Sequence, residues 1–272
     1  MPQEKPDLRS ILPIEIEPKK KKPQVPREDG KTAEESRRLG DERLAEGEVS
    51  DAIHHYRRAL RMDDNDVENR LRLADSYDLA ELGPQAAKQY EKLLKSKKPR
   101  PEAHVGLADV YRRYGKHRAG IERLRKACEL NPSNGFYWFR LAEAIVAAGE
   151  PKEAVNPALR AYDLETTDPF YGVWLGRLLL KLGDGSAAVG PLERAARLEP
   201  SDHEAWFMLS AAFSAAGRPE LAMHTMSKAS DLDPDNLLYK ACRIALEGGA
   251  ETVPLSPYDQ PYFEKWLHWA EI

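Results

Sequence analysis

Catalysis needs a nucleophile, an acid or a base held within reach of a partner, and this chain offers few such combinations. No GxSxG, phosphate-binding loop, GxGxxG or HExxH is present. His54 and His55 are neighbours, so a helix turns them to different faces and they read as solvated surface residues. Asp63 and Asp64 sit in a turn-like stretch, where acids cap helices. Cys128 and Cys242 are far apart and form no CxxC, which excludes a zinc knuckle or a disulfide framework. No metal, cofactor or enzymatic activity is expected.

The residue types that remain suit binding. Residues 136–140, FYWFR, place Phe136, Tyr137, Trp138 and Phe139 in a row before Arg140. An amphipathic helix needs one apolar residue every three or four positions, so the surplus rings call for a second surface. A net charge of −4 argues against nucleic acid as the main partner. The start, MPQEKPDLRS, has no apolar stretch of a secretory signal, and no apolar run approaches the roughly 20 residues of a membrane span. A cytoplasmic setting is the expectation.

A repeat positions these residues. GKHRAGIERLRKACELNPSN and GRPELAMHTMSKASDLDPDN align, and their 34-residue period runs without insertion from 33 to 236 in six units. The seventh residue is always leucine, from Leu39 to Leu209. The eighth is small, as in Gly40, Ala74 and Gly176, and so is the twentieth, as in Ala52, Gly120 and Ala222. Small residues at two such places let paired antiparallel helices approach closely. Asp66, Asn134, Asp168, Asp202 and Asn236 stand where a first helix needs its N-cap, and Pro101 marks a start after Arg100. Gly47, Gly115, Gly149, Gly183 and Gly217 mark the turn inside a unit. In unit two the glycine is Gly83, two places late, which predicts a distorted turn.

This pattern resembles the tetratricopeptide repeat. The resemblance implies an all-α fold: a right-handed superhelical solenoid of six helix–turn–helix repeats with a C-terminal capping helix. It implies no catalysis, and a partner segment lying along the concave face, touched by the second, fifth, sixth, ninth, twelfth and thirteenth residues of each first helix. Units one to three there present Arg37, Asp41, Arg72, Asp75, Asp78, Asp109, Arg112 and Arg113. Units four to six present Phe136, Phe139, Arg140, Glu143, Phe170, Val173, Trp174, Arg177, Phe207 and Met208. By this register Trp138 and Trp206 belong to the core and Phe139, Phe170 and Phe207 face the groove. Phe136 and Tyr137 either join that surface or pad the seam with unit three. The two-carboxylate clamp that some relatives use, lysine at the fifth position and asparagine at the ninth, is missing: Arg37 and Asp41, then Leu71 and Asp75, stand there.

Pro157 and Pro191 fall at the twenty-third position of units four and five. They kink the second helix there, or that helix begins late and takes proline in its first turn. Outside the repeats, residues 1–32 hold six prolines, which suits an extended or disordered tail. Ile11, Leu12, Ile14 and Ile16 read as a short linear motif. Lys19–Lys22 solubilise the tail or meet an anionic partner. Residues 237–250 read as the capping helix, and 251–272 as a linker plus an amphipathic segment, 262–272, expected to turn back onto the solenoid's end. The functional expectation is a scaffold or adaptor for a protein or peptide segment of a larger complex. The alternative is an assembly factor or chaperone that shields an apolar client segment.

Overall fold

The computed structural model describes residues 32–96 and 100–249. Ile11, Leu12, Ile14, Ile16, Lys19–Lys22 and residues 250–272 lie outside them. Among the described residues there are thirteen helices and no strand. They pair as α1 (Ala33–Ala45) with α2 (Val49–Met62), α3 (Val67–Leu79) with α4 (Gly83–Leu94), and α5 (Pro101–Arg113) with α6 (His117–Leu130). Then come α7 (Gly135–Ala147) with α8 (Val155–Leu164), α9 (Pro169–Lys181) with α10 (Gly185–Leu198), and α11 (His203–Ala215) with α12 (Pro219–Leu232); α13 (Leu237–Glu247) packs on α12.

Local chemistry sets the ends. Asp66, Asn134, Asp168, Asp202 and Asn236 each accept a backbone N–H of the helix they precede, which satisfies donors a first turn leaves open. Thr32 and Glu35 close a capping box on α1. The turn of unit two is not distorted. Glu81 takes the left-handed conformation there, φ 58°, where the other units use glycine at φ 67° to 83°. Gly83 serves packing instead: a Cβ on it would sit 2.7 Å from the Tyr114 ring.

The two prolines behave differently. After Pro151 the chain makes a turn, and α8 starts at Val155, so Pro157 falls in its first turn, where no N–H is missed. Of the two alternatives, Pro157 thus takes the late helix start. Pro191 lies inside α10. Its carbonyl would be 2.7 Å from a Cβ at residue 172, so Gly172 lets α9 press onto the interrupted stretch.

First helices touch across units, α3 with α5, α5 with α7 and α9 with α11, so they form the inner, concave layer. At the α1–α3 and α7–α9 seams the backbones do not approach as closely, and side chains fill the space.

Candidate functional site

The concave face of the first seams is a ladder of ion pairs. Arg37 reaches Asp66 at 3.5 Å, and Arg72 reaches Asp41 at 3.0 Å across the α1–α3 seam. Arg113 pairs with Asp78 between α3 and α5, and Arg140 with Asp109 between α5 and α7. Arg140 Nε also meets Glu143 at 3.0 Å. Tyrosines brace the acids from behind: Tyr56 donates to Asp41 at 2.8 Å and Tyr90 to Asp75 at 2.7 Å. Burial pushes the Asp109 and Glu143 carboxyls above the usual range, with Arg140 and then Arg112 opposing it. Asp75 is open to water, yet the concave wall around it pushes its carboxyl up too. Most of this half of the groove is therefore already paired within the chain.

The α7–α9 seam uses rings. Phe139 stands at the centre, with its ring centroid 5.1 Å from Phe170, 5.8 Å from Tyr171 and 5.4 Å from Trp174, all edge to face. Such geometry aligns positive ring edges with negative faces. Phe170 remains 48% exposed and Phe136 43%, and the Arg140 guanidinium lies 5.8 Å from the Phe136 ring. Val173 is half-buried beside them. Tyr137 separates from this group: it is buried, and its phenol donates to Glu102 at 3.2 Å. Half-buried Arg177 is pulled down to about 10 by burial, against the pull of Glu204 and Asp202.

Two expectations need correction. Phe207 and Met208 do not face an open groove; they are 6% and 5% exposed. Tyr239 of α13 stacks on Phe207 at 4.9 Å, so the terminal helix has closed the groove at unit six. Trp138 and Trp206 pack against the core but remain half-buried, because each indole N–H donates to the carbonyl of a turn proline, Pro132 or Pro200, at 2.9 Å. Trp138 also lines a cleft of about 580 Å³ between α7 and α8, below the late start of α8.

Sequence reasoning left out the bracing tyrosines Tyr56 and Tyr90. The signal for the tyrosines was size complementarity. Gly40 and Gly106 leave room for these rings, and a Cβ on either would strike them at 2.5 Å or less. The groups suited to nucleophilic work are unpromising. Burial holds the Cys128 thiol up at about 12, and no group of acids, histidines and cysteines among the described residues could hold a metal ion.

Two sequence profiles, both described as tetratricopeptide repeat, match residues 101–144 in one case and 37–101 and 175–236 in the other. The chain is a tetratricopeptide repeat protein. The stretch between the matches, 145–174, is where this repeat protein begins α8 late. No curated protein sequence matches it. Its fold is similar to that of the TPR protein YrrB, with 20% identity, TM-score 0.59, and 70% of this chain and 97% of that one covered. It is also similar to MamA from Desulfovibrio magneticus RS-1, with 18% identity, TM-score 0.55, and 62% and 96% covered. A third likeness is to the APC/C hetero-tetramer Cut9–Hcn1, with 16% identity, TM-score 0.53, and 79% and 43% covered.

Proposed function

We propose that this tetratricopeptide repeat protein is a non-catalytic adaptor that holds an extended segment of a protein partner along its concave face. The observation that carries this is the aromatic ledge at the α7–α9 seam. Phe170 stays exposed beside the packed rings of Phe139, Tyr171 and Trp174, and Phe136, at the same register position one unit earlier, is exposed too. A contiguous exposed apolar patch on a soluble surface marks an interaction site. YrrB, similar in fold, has an unusual peptide-binding site. No described helix is long and apolar enough to cross a membrane, and the reading needs only a soluble partner in the cytoplasm.

The test is an affinity capture with quantitative mass spectrometry, comparing the natural protein with the double variant Phe136→Ser, Phe170→Ser. Both rings are on the surface, so the variant keeps its fold. The proposal requires that one protein, captured at a fixed ratio, be lost with the variant. An unchanged set of captured proteins refutes it. Because the ledge is apolar, it also suits an assembly factor that covers a client until incorporation. Sub-stoichiometric, ATP-independent capture of a newly made client would favour that second reading.

A further inference from the structure

On the concave face, the ninth residue of one unit and the sixth residue of the next lie 31 positions apart. Asp41 and Arg72 make this pair at the first seam, 3.0 Å apart. Asp109 and Arg140 make it at the third. At the second seam the acid is Asp75, and the position of the arginine is Gly106. Asp41 thus takes two donors, the Tyr56 phenol and the Arg72 guanidinium. Asp75 takes the Tyr90 phenol, and among the described residues no arginine pairs with it. A side chain cannot return to position 106, because a Cβ there would lie 2.2 Å from Tyr90 Cζ. The position that carries an arginine at the flanking seams therefore carries none at this one, and the buried Tyr90 ring packs against it. Glu68 and Glu102 add negative potential around Asp75. Arg72, the charge that opposes this at Asp75, is engaged by Asp41 and by Glu68 at 3.5 Å.

We infer that a partner's arginine fills this step, seating its guanidinium on Asp75 over Gly106 and completing the ladder in trans. This rests on the groove reading and adds the chemistry of the occupant. Arginine suits the step better than lysine: its planar fork meets a carboxylate with two donors. The step lies two first-helix spacings from the aromatic ledge, ~20 Å at ~10 Å per spacing. Extended chain covers that in about six residues at ~3.3 Å each. The bound segment therefore carries an arginine and an aromatic or large aliphatic residue about six positions apart.

The probe is a set of fluorescein-labelled peptides with arginine and phenylalanine separated by five small residues, in both chain orders. The controls replace arginine by citrulline, which keeps the shape without the charge, or by glutamate, and replace phenylalanine by serine. Anisotropy on the natural protein should favour arginine over citrulline by about tenfold. The Gly106 amide resonance should move with the arginine peptide and stay with the citrulline one, a readout that needs no variant. Asp75→Asn should erase the preference, and Asp75→Arg should invert it toward the glutamate peptide. Equal binding of arginine and citrulline peptides that still depends on phenylalanine overturns the arginine site and leaves the groove reading standing. Binding that is indifferent to both residues overturns the two together.

Discussion

Phe207 and Phe170 occupy the same face of neighbouring first helices, and the structure gives them opposite energetic roles. Phe207→Ala empties a site that is 94% covered, between α11 and the stacked Tyr239 ring of α13. A buried Phe→Ala change costs about 3–5 kcal/mol. Phe170→Ala removes a ring that is 48% exposed and held by edge contacts to Phe139 and Tyr171. Water fills the vacancy, so the loss is about 1 kcal/mol, the value of an aromatic edge contact. In a chain of this size about 1 kcal/mol moves a cooperative midpoint by roughly 2–4 °C. A solenoid sums unit and interface stabilities, so the Phe207 loss concentrates at its end. Hydrogen exchange of Phe207→Ala should show α11 to α13 losing protection first, with the melt lowered by about 6 °C or more, while Phe170→Ala stays within about 4 °C of the natural protein. Partner capture should respond in the opposite order. If the two melts coincide, or α13 keeps its protection in Phe207→Ala, the covering of unit six by α13 is refuted.

Glu81→Gly should stabilise the protein by about 0.5–1 kcal/mol, because a left-handed residue with a Cβ costs about 1–2 kcal/mol and glycine returns part of that as unfolded-chain entropy; a lower denaturation midpoint would contradict the turn geometry. Arg140→Met keeps the packed stem but removes the cation that opposes the raised Asp109 and Glu143 carboxyls. A carboxyl raised in the folded state penalises stability at neutral pH, and the penalty lifts as pH falls through the folded value. The deficit should therefore be about 2 kcal/mol at pH 7 and shrink toward pH 5; a deficit flat across that range refutes the pairing. Leu237 and Ile244 on α13 are 77% and 65% exposed, and residues 262–272 are proposed to cover them. Deleting 262–272 should raise the fluorescence of an apolar dye, and unchanged dye binding would send that segment elsewhere.

The repeat register made the fold legible, since leucine at the seventh place and small residues at the eighth and twentieth report helix packing directly. The proposed groove was legible only in part. Phe139 and Phe170 occupy their register positions beside other rings. Phe207 sits at the same register position as Phe139, but its exposure depends on α13, an element outside the period. The turn of unit two was misread because the left-handed backbone of Glu81 is a property of the turn and not of glutamate. At Pro157 the sequence left a kink and a late start both open, because a late start keeps the same residues in place while moving the boundary.

The seams also differ mechanically. Those on the N-terminal side of α7 are latched by ion pairs and phenol hydrogen bonds, which resist sliding because each has one good geometry. At the α7–α9 seam the span between more distant backbones is bridged by ring edges on ring faces, which slip past one another at little cost. The α7–α9 seam is therefore expected to bend more readily than the latched seams before it. That seam is also the ledge proposed to grip the partner. Tension along the solenoid axis is then expected to reach the ledge before the latched seams.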